Sequence, residues 1–155
     1  MKTAVILSAR KDKDTEIPYP LKPYYENSCL IDRTIEALTA LNYDNILLVV
    51  GGQAQLYQRY ASETVRLVLN PDFKFTSSMG SLAMAAPYIK DDFLLVDGDT
   101  FYEYKVLKEL SETKNENCFA ITEESGSGDE AFVETRSGYI TKISKDRHQI
   151  CNFEG

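Results

Sequence analysis

The chain has 155 residues, 43% hydrophobic and 26% charged, with a net charge of −7. These are the proportions of an ordinary globular domain, able to bury roughly two-thirds of its unfolded surface. The acidic balance excludes nucleic acid as a bulk partner, and no segment approaches the roughly 20 apolar residues of a membrane span.

The apolar start breaks off after about five residues, too soon for a signal peptide. Cys29, Cys118 and Cys151 are odd in number and widely spaced, without a C-x-x-C pair. They suit a reducing cytoplasm and carry no disulfide or metal signature.

Thr3-Ala-Val-Ile-Leu-Ser-Ala-Arg10 begins as a β-branched apolar run and ends in small residues. That pattern is a buried strand opening into a loop, and ligands of open α/β sheets bind at such carboxyl ends. The loop carries Arg10, Lys11, Lys13 and Lys22, enough cations in one connection for a polyphosphate. Pro18, Pro20 and Pro23 forbid a regular helix there and hold the chain extended. Tyr19, Tyr24, Tyr25 and Tyr43 are expected to anchor loop and helix to the core.

Ser28 suits the cap of a helix over residues 30–41, whose apolar stripe is Ile31, Ile35, Leu38 and Leu41, with Asn42 at its end. Residues 45–50 predict a second buried strand closed by Gly51-Gly52, followed by a short helix over 53–60. Residues 65–69 predict a third strand, ended by the turn signal Asn70-Pro71. This rhythm is that of a parallel sheet with right-handed crossovers and helices on both faces, a Rossmann-like α/β fold.

Residues 75–86 open with hydroxyls and one glycine, then become a small-residue helix. Two readings stand side by side. The helix start offers free N–H groups to a phosphate or a polar ring edge, or Ser77 or Ser78 is simply an N-cap and Gly80 a packing glycine.

Residues 92–99 predict a fourth buried strand ending in Asp97-Gly98-Asp99. In continued strand geometry both carboxylates point the same way, as hard oxygen ligands for Mg²⁺. The alternative is a solvated Asp/Gly turn. A helix over 104–112 leads back to a further strand at 118–121. Residues 123–130 form an acidic Gly/Ser surface loop, and residues 131–143 an antiparallel hairpin at the sheet edge. His148, the only histidine, lies in a polar tail and is not assigned as a base. The expectation is a single domain over residues 1–155.

These landmarks together resemble the sugar-phosphate nucleotidylyltransferases, most closely their bacterial phosphocholine cytidylyltransferase-like branch. The resemblance runs from residue 3 to about residue 152. It rests mainly on Lys22-Pro23 with Leu30-Ile-Asp-Arg-Thr-Ile-Glu-Ala-Leu38, on Ser77-Ser-Met-Gly-Ser-Leu-Ala83 and on Phe93-Leu-Leu-Val-Asp-Gly-Asp99.

It implies a reaction in which a substrate phosphate or phosphonate oxygen attacks the α-phosphorus of an NTP, CTP favoured, releasing pyrophosphate. It implies Lys22 and Arg10 as catalytic cations and Asp99 as the Mg²⁺ ligand. Ser8, Ala9, Arg10, Lys11, Ser78, Gly80, Ser81 and Asp97 would contact the nucleotide.

Two departures stand out. The family loop A-G-x-G-x-R has lost its glycines in Ala9-Arg-Lys-Asp-Lys-Asp-Thr15, and the chain ends where family members continue, so its C-terminal part is expected to be missing. Asp97-Gly98-Asp99 also satisfies the D-x-D pattern of nucleotide-sugar glycosyltransferases, the rival enzyme class. Lys22 discriminates between the two, since only nucleotidyl transfer needs it. A non-catalytic nucleotide-binding domain is the third reading.

Overall fold

Four aliphatic runs form one parallel sheet: β1 (Thr3–Ser8), β2 (Asn45–Val50), β3 (Val65–Leu69) and β4 (Phe93–Asp97), in the order β3-β2-β1-β4. The computed structural model describes residues 1–10, 17–123, 126, 128 and 130–150. It divides the chain into two compact units, Met1–Lys114 and Asn115–Gly155.

In the first unit β1 and β2 are buried almost throughout, because helices cover both faces of the sheet. Strand alternation sends Val5, Leu47 and Val49 to one face, where Leu82 and Ala85 of α2 (Ser78–Ala85) pack on them. Ala4, Ile6, Ile46 and Leu48 point the other way. They meet Ile31 and Leu38 of α1 (Leu30–Ala40) and Leu107 of α3 (Tyr104–Glu112). Each buried valine, leucine or isoleucine among these contributes about 1.5–3 kcal/mol. The expected doubly covered α/β fold is the observed one.

The N-cap of α1 is Cys29 rather than the expected Ser28. Asp32, three residues on, accepts the Cys29 backbone N–H at 2.8 Å, which satisfies one of the unpaired donors at the helix start. Burial alone would raise the Asp32 carboxyl. Bonds from the Cys29 N–H and the Tyr60 hydroxyl, with the Arg59 charge, outweigh it and hold the group below its ordinary value. Asn42 ends the helix at φ 63°, the left-handed position asparagine tolerates.

The segment Ala54–Tyr60 is a 3-10 helix, entered from Gln53 at φ 56° and held inward by fully buried Tyr57. Gly51 and Gly52 make room for Phe73: a Cβ on Gly51 would stand 2.6 Å from the ring's Cγ. Of the four tyrosines expected to anchor, only Tyr43 is buried; Tyr19, Tyr24 and Tyr25 are exposed.

In the second unit the strand expected at 118–121 is absent, and Phe119 and Ile121 lie exposed. β5 (Phe132–Arg136) and β6 (Tyr139–Ser144) form the expected antiparallel hairpin. Its turn, Ser137-Gly138 at φ 51° and 78°, has the mirror-image twist that two-residue hairpins require. The pair is a separate two-stranded sheet, not an edge of the main one. Alternation specifies a strand's faces but not its neighbour, so the sequence left this open. No helix among the described residues is long and apolar enough to cross a membrane.

Candidate active site

From β1 the chain moves outward to β2 and β3, then returns to place β4 on the other side of β1. Connections therefore diverge between the carboxyl ends of β1 and β4, the place where open α/β sheets bind their ligands. Arg10 leaves β1 and Asp99 leaves β4 at this point. Arg10 Nη1 lies 2.7 Å from Asp99 Oδ2.

Gly98 makes the approach possible. Its N–H donates to the Leu7 carbonyl at 2.8 Å, extending the β1–β4 pairing past the strand end. A Cβ at this position would meet the Leu7 carbonyl oxygen and Ser8 Cβ, both at 3.0 Å. Gly98→Ala is therefore expected to push the turn off β1 and destabilise the fold by about 1–3 kcal/mol. Thermal unfolding checks this: the melting temperature falls, and an unchanged melting temperature contradicts the close approach.

The strand ends at Asp97, so Asp99 sits in a turn rather than in the continued strand geometry expected. The carboxylates still feel each other. Burial pushes the Asp97 carboxyl up, the Asp99 charge pushes it further, and Arg10 opposes both. The Asp97 backbone N–H donates to the Tyr102 hydroxyl at 3.0 Å, which fixes the start of the turn.

Two hard carboxylates in this relation fit Mg²⁺, which takes one or two protein carboxylates and completes its shell with water and substrate phosphates. No group of three or more His, Cys, Asp or Glu converges among the described residues, so a full protein cage is not present there. A hollow beside the start of α1, lined by Glu26, Asp32 and Glu36, is acidic and unsuited to a polyphosphate.

The other predicted site residues divide into supports and exposed groups. Ser8 and Ala9 are buried, and the Ser8 hydroxyl pairs with the Tyr57 hydroxyl at 2.8 Å. Ser81 is buried too, its Oγ accepting from Asn70 Nδ2 at 3.0 Å. Ser78 is exposed in the first turn of α2, where Ser77 is the N-cap. Gly80 lets Thr76 pack on the helix, since a Cβ there would stand 2.6 Å from Thr76 Cβ.

Lys22 is exposed and, among the described residues, forms no ion pair. It follows the 3-10 turn Tyr19–Leu21 with an extended backbone, as a residue before proline should. Lys11 and Lys13 lie outside the described residues, as does Cys151; Cys29 is buried and Cys118 exposed.

Asn70 is more than the turn signal read from the sequence. Only 1% exposed, it donates to Thr76 Oγ1 and Ser81 Oγ, and its Oδ1 accepts the Asp72 N–H at 3.0 Å. It thereby fixes the entry to α2. The one available signal was an asparagine at a strand end just ahead of a hydroxyl-rich helix start.

The sequence model of the MobA-like NTP transferase domain matches residues 19–145. CMP-5'-(3-aminopropyl)phosphonate synthase of Streptomyces rubellomurinus is 25% identical over 143 residues, 88% of this chain and 23% of that protein. The structure of the inositol-1-phosphate CTP transferase from T. maritima superposes with a TM-score of 0.72 at 20% identity, covering 94% of this chain and 64% of that one.

The Rv0371c protein of Mycobacterium tuberculosis, in its complex with manganese, superposes with a TM-score of 0.57 at 18% identity, covering 89% of this chain and 66% of that one. The chain thus spans about a quarter of the length of the first relative and under two-thirds of the first structure. The structural likenesses show the nucleotidyltransferase-type fold. The resemblance read from Lys22-Pro23 and Asp97-Gly98-Asp99 holds at the level of the family. With most of its length matched, the chain belongs to the MobA-like NTP transferase domain family.

Proposed function

We propose that the site at the carboxyl ends of β1 and β4 binds CTP with Mg²⁺ and transfers CMP to a small phosphorylated alcohol, phosphonate or sugar phosphate. The observation carrying this reading is the Arg10–Asp99 pair at the divergence of the sheet, with Asp97 beside it. An acceptor phosphate or phosphonate oxygen, already ionised at neutral pH, attacks the α-phosphorus. The bond from the α-phosphorus to the bridging oxygen breaks, and pyrophosphate leaves. No protein nucleophile or base is required, only alignment and charge.

Lys22 and Arg10 supply that charge, with Lys11 as a further cation in the same connection. Exposed Ser78 and the free N–H groups of the α2 first turn, with Gly80, face the nucleotide. Ser8, Ala9 and Ser81 hold the floor beneath it. Asp99, assisted by Asp97, would hold the Mg²⁺, which neutralises nucleotide phosphates when bound. The cytidine preference is supported by the CMP and CTP in the names of two relatives.

The test is pyrophosphate release from CTP with a panel of small acceptors. Release is expected only when the acceptor bears a phosphate or phosphonate, with a CMP-linked product in equal amount. Sugar transfer from a nucleotide sugar without pyrophosphate release would overturn the reading in favour of a glycosyltransferase.

A further inference from the structure

Lys22 and Asp99 come from different connections and, as described, share no direct contact. Two residues beyond each of them, a pair of aromatic rings joins the two connections. The Tyr24 and Phe101 ring centroids are 6.0 Å apart at an interplanar angle of 35°. On the same ring, the Arg33 guanidinium of α1 sits 5.4 Å from the Phe101 centroid.

All three side chains are exposed, so the stack is not part of the hydrophobic core. We infer that Tyr24, Phe101 and Arg33 are positioning residues that fasten the Lys22 segment to the Asp99 turn and so set the lysine over the nucleotide phosphates. The phosphate role of Lys22 rests on the function proposed above.

The local chain makes such a fastening effective. Lys22 stands between buried Leu21 and Pro23, whose ring fixes its own φ and restricts Lys22 to extended backbone. Tyr24 is held in turn, its N–H donating to the Ser28 carbonyl at 2.8 Å, just ahead of α1. On the other side, Phe101 turns outward while its neighbour Tyr102 turns inward and accepts the Asp97 N–H. The residues next to the catalytic candidates are thus tied at both ends, and the ring pair is the exposed link between the two segments. Offset and tilted aromatic pairs attract beyond their area, and a guanidinium over a ring adds to this.

The test has two parts. In the free protein, hydrogen exchange reads the amides of Leu21 and Lys22, which donate to Pro18 and Tyr19. Tyr24→Ala and Phe101→Ala should each raise exchange at these two amides severalfold, with the melting temperature unchanged. The double variant should add little, because one contact is lost either way. Tyr24→Phe and Phe101→Tyr keep the rings and should restore protection.

Calorimetry with Mg²⁺ and CTP should then show a three- to tenfold weaker affinity in the alanine variants, restored by the ring-preserving ones. Unchanged exchange at Leu21 and Lys22 overturns the fastening, whatever the nucleotide result. Raised exchange with unaltered CTP affinity overturns its role in placing Lys22. Failure of the parent protein to bind any triphosphate would instead overturn the proposed function, with the exchange data still deciding the fastening.

Discussion

Asp99→Asn is expected to remove divalent-cation-dependent nucleotide binding while leaving the fold standing. The two outcomes separate because the Arg10 pairing and the proposed ion contact draw on Asp99 differently. Its pairing with Arg10 is a near-surface bridge, the Arg10 side chain being 64% exposed, and such bridges contribute roughly 0–1 kcal/mol. The melting temperature should therefore shift by no more than about 4 °C.

Ion binding depends on the lost negative charge. Removing even an outer partner of a metal ligand costs about 10–100-fold, so losing the ligand itself should cost about 100-fold or more in Mg²⁺-dependent affinity for CTP. Arg10→Gln is the informative companion. On the proposed function, Arg10 competes with the ion for Asp99 in the free protein and would contact phosphate in the complex. Its loss should tighten Mn²⁺ binding without nucleotide and weaken CTP binding. Paramagnetic resonance of free Mn²⁺ reads the first effect and calorimetry the second. An Asp99→Asn protein that binds CTP as tightly as the parent in Mg²⁺ would remove Asp99 from the site.

The second large effect is on turnover. Lys22→Ala should weaken CTP binding and lower kcat by about 10²-fold, since the lysine would meet the phosphates in the ground state and more strongly in the developing transition state. The residue is exposed, its side chain forms no ion pair among the described residues, and its neighbours Leu21 and Pro23 set the local backbone. Stability should be unaffected. Steady-state kinetics of pyrophosphate release from CTP and a phosphorylated acceptor checks this. A KM rise with unaltered kcat would mean that Lys22 binds ground and transition states alike. Unchanged kinetics would take it out of the reaction.

The sheet was legible in the sequence because its strands are short aliphatic runs with clear stops. Residues 45–50 and 65–69 predict β2 and β3 to the residue, and 104–112 predicts α3. Boundaries slipped where chemistry is shared by neighbours, as at Ser28 and Cys29. There the deciding group was Asp32, three residues downstream. Residues 118–121 have strand-like composition but no pairing, which composition cannot reveal.

Of the candidate site, the meeting of Arg10, Asp97 and Asp99 was legible because both loops leave neighbouring strand ends. Ser81 was not distinguishable from Ser78: their difference is orientation around α2, one facing Asn70 and the other solvent. Tyr24 and Phe101 were hidden for a similar reason. They are 77 positions apart, and only the divergence between β1 and β4 joins their segments.

Calorimetric titration of CTP, with and without Mg²⁺ and beside UTP, GTP and ATP, tests the central claim most directly. Binding isolates the nucleotide half of the site from the acceptor, whose identity is a separate question. The account predicts binding that requires Mg²⁺ and favours CTP. Failure to bind any triphosphate, or equal binding with and without the ion, would contradict it.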